Sequence, residues 1–305
     1  MRVGTDATAV ANGTFGELLQ GVLPDGDVDF LVTLPVARWA RASFRLLPSG
    51  PVRVFPAGRW KAARLAEMML NAAGSRAGGV LRLDSDLPVG KGMASSSADL
   101  VATARAVGGS LGLDTSPAAI ADWLRPIEPT DGVMYPGVVA FEHRNVRLRA
   151  SLGPLPATTI VGLDEGGQLD SIQFNRLPKP YTDADKHRYA DLLAELADAI
   201  RGGDLAAVGR VASSSCRLGD KMRVRPLLPA MFGIAEQTGA LGVACAHSGT
   251  LLGLLFDGAD AKAAERVEKA VQLCGRLPGR VGVHHSLASD ERHGASEFMG
   301  AHHAV

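Results

Sequence analysis

Hydrophobic positions in the first hundred residues recur with two different periods. The runs "DFLVTLPV" (29–36), "ARASFRLL" (40–47) and "VLRLDS" (80–85) are short and β-branched or alternating, which predicts strands. Between them, "AARLAEMMLNAAG" (62–74) carries Leu65, Met68, Met69 and Ala72 at helical spacing, with Gly74 placed to end the helix. A second helix is predicted after residue 97, where Leu100, Val101, Ala104 and Val107 repeat on one face. The second half opens with a strand at 158–164. A long helix follows over 182–200, headed by the capping-box pair Thr182 and Asp185 and turning Tyr189, Leu192, Leu193, Leu196 and Ile200 inward. Helices at 204–217, 227–238 and 260–274 are expected next, with strands "GVACAHS", "LLGLLFD" and "RVGVHH" interspersed. The pattern is that of an α+β chain in two sheet-and-helix halves, joined near 150–157, where "SLGPLPA" supplies a glycine and two prolines.

Composition narrows the function classes. With 46% hydrophobic and 21% charged residues over 305 positions, the chain is globular and long enough for a substantial core. Thirty-two basic residues balance 32 acidic ones, so the basic surplus that drives binding to a phosphate backbone is missing and no nucleic-acid partner is expected. The densest basic run, "EHRNVRLRA" (142–150), alternates like one strand with a solvated face. Cys216, Cys245 and Cys274 form no CxxC pair, which excludes a zinc ribbon or dithiol redox motif and fits a reducing, cytoplasmic setting. No run reaches the roughly 18 apolar residues of a membrane span, so no membrane partner is expected.

The segment "LPVGKGMASSSADL" (87–100) stands apart, because it lies between a predicted strand and a predicted helix. A helix start presents unpaired N–H groups and about half a positive charge. Gly90, Gly92 and Ala94 let the backbone approach a bulky ligand, and Ser95, Ser96 and Ser97 add hydroxyls that can bond phosphate oxygens or a magnesium ion. Lys91 adds a point charge, and Met93 completes the turn. A capped turn satisfies the same spacing, since Ser96 and Asp99 also form a capping-box pair. The spacing of neither the Walker A loop nor the GxGxxG turn is present.

The string "PVGKGMASSSAD" resembles the second motif of the GHMP kinases, PxxxGLGSSAA, with Met93 for leucine, Ala94 for the second glycine and Ser97 for an alanine. Its "GKGMASS" form is most similar to the L-threonine kinase branch, associated with cobalamin side-chain synthesis. "NGTFGELLQG" (12–21), "EPTDGVMYPG" (128–137), "DSIQFN" (170–175) and "ACAHSGTLLGLLF" (244–256) are similar to further segments of that branch, with Asn12 where proline is usual. The resemblance implies a two-domain GHMP fold: an S5-domain-2-like ATP-binding domain over 1–153 and a ferredoxin-like α/β sandwich over 154–305. It also implies ATP and Mg2+ as cofactors and transfer of a phosphoryl group to the hydroxyl of L-threonine or a close hydroxy-amino acid. Alternatives are another hydroxylated metabolite, such as serine, homoserine or a specialised-pathway intermediate, and a non-catalytic sensor with the same fold. The partner is a small molecule, and a homodimer is compatible.

By the same resemblance, Gly90 to Ser97 hold the nucleotide, Lys91 assists catalysis, Ser96 and Glu128 hold the metal, and Asp131 deprotonates or orients the alcohol. Phosphoryl transfer needs positioned reactants and neutralised charge, and a carboxylate near the acceptor oxygen can take its proton. "IEPTDG" places two carboxylates three residues apart in a turn-rich loop, where Asp131 also fits an Asx turn and Glu128 plain solvent exposure. Glu17, His247, Ser248, Gly249 and Thr250 are expected around the acceptor, with His247 equally readable as a hydrogen-bonded core residue. Arg38, Arg41 or Arg144 is expected to meet a substrate carboxylate, and Asp170 and Asn175 are further candidates for the acceptor's charged groups. The late histidines His284, His285, His293, His302 and His303 have no metal-ligand spacing and read as surface residues.

Overall fold

The computed structural model describes residues 6–169, 174 and 177–287. Two long strands form its spine: β1 (Ala7–Leu23) and β2 (Val28–Leu47) run antiparallel through a tight turn. The two runs predicted at 29–36 and 40–47 are one continuous strand. Pro35 is tolerated inside it because the β1 register shifts on either side of Gly13 and Thr14, which pair with Val36 and Pro35. β3 (Val52–Phe55) and β4 (Gly78–Ser85) complete one end of the sheet, flanking α1 (Trp60–Ala72) in sequence. α2 (Ser95–Leu111) packs on β1 and β2, and α3 (Pro117–Leu124) packs beside it.

The basic run at 142–150 is a hairpin and not one strand. β5 (Val138–Glu142) turns at residues 143–146 into β6 (Arg147–Gly153), and buried Glu142 takes Arg147 at 2.8 Å and Arg149 at 3.5 Å. Arg147 and Arg149 do alternate on a solvated face of β6, as the run suggested, and both also pair with the Glu142 carboxylate at the hairpin end.

In the second half, β7 (Thr158–Asp164), β8 (Gly242–Cys245), β9 (Leu251–Asp257) and β10 (Arg280–His285) join the same sheet, in the order β10-β7-β9-β8-β1-β2-β4-β3. Four helices follow in this half: α4 (Asp183–Gly202), which packs on β1 and β6, and α5 (Leu205–Gly219), α6 (Leu228–Thr238) and α7 (Ala263–Cys274), which cover these strands. The Thr182 capping box forms in full, with Asp185 as its N3 partner. Tyr189, Leu192 and Leu196 are fully buried, as the periodicity requires. One large apolar cluster runs from Ala11 and Phe15 through α1 and α2 to α4 and α5. A smaller one, centred on Val161, Met231, Val243, Leu254 and Phe256, is drawn only from the second half. The halves meet where β1 touches β8, through the pair Glu17 and Cys245.

Candidate active site

The turn before α2 is held open by the strands beneath it. Gly90 and Gly92 have φ of 73° and 89°, and Ala94, the residue preceding the helix, is left-handed at 56°. The first helical bond runs from the Ala98 N–H to the Ala94 carbonyl at 2.8 Å, so the amides of Ser95, Ser96 and Ser97 precede the ladder. No side chain caps this helix start. Asp99, the other half of the expected capping box, instead pairs with Arg59 at 2.8 Å. Burial, relieved in part by Arg59, pushes its carboxyl up to about 6.

The loop is braced by main chain from both halves. Thr14 and Gly16 of β1 donate to the carbonyls of Met93 and Gly92 at 3.2 and 2.9 Å, and Thr250 donates to Lys91 at 3.1 Å. A Cβ at Gly92 would lie 2.3 Å from the Ala246 methyl, and one at Gly249 only 2.1 Å from the Lys91 carbonyl oxygen. These glycines are present because two backbones touch. Gly249 and Thr250 therefore support the loop and are not among the residues lining the cleft. Lys91 also turns away from it. Its ammonium bonds Asp164 at 2.8 Å and the Gly167 carbonyl at 2.7 Å, and Thr250 donates to the same Asp164 at 2.5 Å. The Asp164 carboxylate, held below its ordinary range by Lys91 and Thr250 against the opposing effect of burial, is the physical reason.

Beside the helix start, Glu17, Glu128 and Asp131 line a cleft of about 460 Å³. Irregular pairing of β1 around Glu17, with register shifts on both sides, turns this residue toward the cleft. The Glu17 carboxylate accepts the His247 N–H at 2.5 Å, and burial, then the nearby Asp131 charge, raises its pKa well above the usual value. Asp131 is fixed by Ser97: its amide donates to Ser97 Oγ at 3.1 Å, while that hydroxyl lies 3.4 Å from Asp131 Oδ2. Burial and the charge of Glu128 push the Asp131 carboxyl up to about 6. Glu128 accepts from Ser96 Oγ at 2.5 Å and forms an ion pair with Lys61.

His247 is kept neutral by burial and by neighbouring His143, with its pKa well below the ordinary value. Gln20 uses its amide N–H on the Cys245 carbonyl, so its oxygen faces His247 Nδ1 at 2.7 Å and assigns the proton to that nitrogen. His247 thus lies in the cleft wall with Ser248, but as a positioned, uncharged ring.

The structure accordingly gathers Glu17, Gly90, Gly92 to Ser97, Glu128, Asp131, His247 and Ser248 around one cleft. Arg38 is engaged by His284 and Arg144 by Asp29, and neither these nor Arg41 lines the cleft. Asp170, Asn175, His293, His302 and His303 lie outside the described residues. Sequence reading missed Arg59, Trp60, Lys61 and His143, which line the cleft from the start of α1 and the β5–β6 turn. The only available signal was the basic and aromatic "GRWK" ahead of the helix.

The Ser96 hydroxyl and Glu128 carboxylate suit a hard divalent cation, which takes oxygen ligands and keeps its remaining positions for water and phosphate. Among the described residues no cluster of three His, Cys, Asp or Glu side chains has the arrangement of a metal cage. No described helix is long and apolar enough to cross a membrane.

Comparison with known proteins matches residues 60–137 to the GHMP kinases N terminal domain. The chain is 28% identical over 261 residues to the L-threonine kinase of Salmonella typhimurium, covering 82% of this chain and 83% of that protein. In three dimensions it superposes on L. major mevalonate kinase in complex with R-mevalonate with a TM-score of 0.69, at 14% identity and coverage of 95% and 98%. Homoserine kinase from Cytophaga hutchinsonii gives 0.68, at 18% identity and coverage of 93% and 95%. These structural likenesses fix the fold, in agreement with the α+β architecture read from the chain.

Proposed function

We propose that this chain, a member of the GHMP kinase superfamily, transfers the terminal phosphoryl group of ATP to the side-chain hydroxyl of L-threonine or a close hydroxy-amino acid. One observation carries the reading: the uncapped start of α2 and Asp131 line a single cleft side by side, tied together by Ser97.

The amides of Ser95 to Ser97 are the donors for the phosphates, where the helix dipole also favours negative charge. Ser96 and Glu128 would hold Mg2+, which when bound neutralises charge on the phosphates. Lys61, now paired with Glu128, and Arg59 bring further positive charge to the same end of the cleft. Asp131 receives the hydroxyl proton as the acceptor oxygen bonds to phosphorus and the bond to the departing ADP oxygen breaks. Its pKa of about 6 leaves it ionised at neutral pH yet more basic than an ordinary aspartate. Glu17 offers a carboxylate to a substrate ammonium, whose arriving charge offsets the burial that raises the Glu17 pKa, and neutral His247 holds it by its main-chain N–H. The 28% identity to a bacterial L-threonine kinase supports this acceptor.

The test is ADP release with ATP and Mg2+ across L-threonine, L-serine, L-homoserine and non-amino-acid alcohols, with products identified by mass spectrometry. One added phosphoryl group on L-threonine or a near analogue is expected. ATP binding without turnover on any of these alcohols, or turnover only on alcohols lacking an amino acid's charges, overturns the reading.

A further inference from the structure

We propose that Arg225 binds the acceptor's carboxylate, in a small annex that opens beside the cleft and shares His247 as a wall. This rests on the amino-acid acceptor argued above. Arg225 lies in the turn after α5, where its amide donates to Asp220 Oδ1 at 2.8 Å. The side chain is 3% exposed, and its guanidinium donates from Nη2 to the Ala246 carbonyl. Its Nε–H has no acceptor, and among the described residues no carboxylate lies within the 4.0 Å of an ion pair. A buried cation left this way is costly, and an anion arriving at the free edge of the guanidinium relieves the cost.

The annex supplies the place. It is bounded by Gln20, Lys179, Tyr181, Arg223, Arg225 and His247, and its space of about 10 Å³ admits roughly one oxygen-sized group. The other cations there are already engaged. Lys179 pairs with Asp29 at 3.3 Å, and Arg223 donates to the Gly249 carbonyl at 2.5 Å. Arg225 is the annex cation whose unpartnered donor is buried, and a guanidinium recognises a carboxylate by directed N–H bonds.

The neighbouring contacts set the order of the subsites. Arg225 grips the carbonyl of Ala246, the next residue's amide holds Glu17, and Asp131 lies close enough to Glu17 to add to the burial that raises the Glu17 pKa. Glu17 is buried and makes no salt bridge among the described residues. An anion site at Arg225, a cation site at Glu17 and a proton acceptor at Asp131 therefore follow one another along the wall. An α-amino acid bears its carboxylate and ammonium on one carbon and its hydroxyl beyond, and this sequence of charges reads that pattern. The annex thus selects hydroxy acids over neutral alcohols and over amides of the same shape.

Steady-state kinetics with L-threonine and L-threoninamide, using wild type, Arg225→Met and Arg225→Lys, test the assignment. Wild type should prefer the acid by at least about 100-fold in kcat/KM, as expected when a buried charge is left without its partner. Arg225→Met should raise the KM for L-threonine by a similar factor and abolish the preference, with the KM for ATP held within about twofold. Arg225→Lys, which keeps the charge but not the fork, should fall between and serves as the reporter if the methionine variant fails to fold. A wild type active on L-threonine whose preference survives in the folded variants overturns the Arg225 assignment alone. A wild type that turns over only alcohols without the amino and carboxyl groups overturns both this assignment and the acceptor reading.

Discussion

Replacing Asp131 by asparagine separates two consequences of one carboxylate. As proton acceptor, its loss should lower kcat by about 10²- to 10⁴-fold while nucleotide binding persists, measured by ADP release and by nucleotide titration. As a half-buried charge near Glu128 and Glu17, it costs stability in the empty protein. The folded pKa of about 6 lies above the unfolded value of about 3.9, so the folded state binds the extra proton between these limits. Stability attributable to Asp131 is therefore greatest below about pH 4 and is lost as pH rises through 6. The asparagine variant should melt with wild type near pH 4.5 and above it at pH 7.5. The gain is on the order of 1–2 kcal/mol, discounted because the cleft admits water. Equal melting temperatures at both pH values would contradict the assigned shift. The sequence disclosed Asp131 and Glu128 only through motif likeness, since a carboxylate in "EPTDG" looks the same whether it faces a cleft or caps a turn.

At the scale of elements, legibility followed local rules. The helix at 182–200 was readable because its capping box and its apolar face act within a few residues, and both formed. The pair Ser96 and Asp99 had the same spacing and did not form a box, because the helix already starts after left-handed Ala94: Ser96 lies inside it and donates to Glu128, and Asp99 pairs with Arg59. β1 was missed as a strand for a related reason: its burial on both faces removes the alternation that marks a half-buried strand. Two substitutions test the phosphate loop as an element. Ala94 is left-handed, so Ala94→Gly relieves a steric cost of about 1–2 kcal/mol, partly offset by the freer unfolded chain, and should raise the melting temperature slightly. Gly249→Ala should do the reverse although it lies outside the cleft. Its Cβ would press on the Lys91 carbonyl, costing roughly 2 kcal/mol or more and raising the KM for ATP through the displaced loop. Thermal melts and ATP kinetics on the two variants check both directions.

Across the whole molecule, the chain's two-part appearance in sequence meets a single sheet in space. The apparent boundary near 150–157 came from glycine and proline composition, which marks a local break and carries no information about which strands later pair. β8 joins β1, the loop after β8 braces the phosphate loop, and Asp164 of β7 anchors Lys91. α4 and α5, from the second half, share the large core with α1 and α2. This wiring predicts that the halves unfold together. Trp39, Trp60 and Trp123 all lie in the first half, so tryptophan fluorescence reports on that half alone. Leu254 is fully buried in the smaller cluster of the second half. Leu254→Ala leaves a cavity there worth about 2–5 kcal/mol. If the sheet and shared core couple the halves, the tryptophan transition should shift down by several degrees and coincide with the loss of far-UV ellipticity. A tryptophan midpoint that stays at the wild-type temperature while ellipticity falls in two steps would mean that each half holds its structure alone. The bracing of the phosphate loop by residues 246–250 would then be too weak to couple nucleotide binding to the second half.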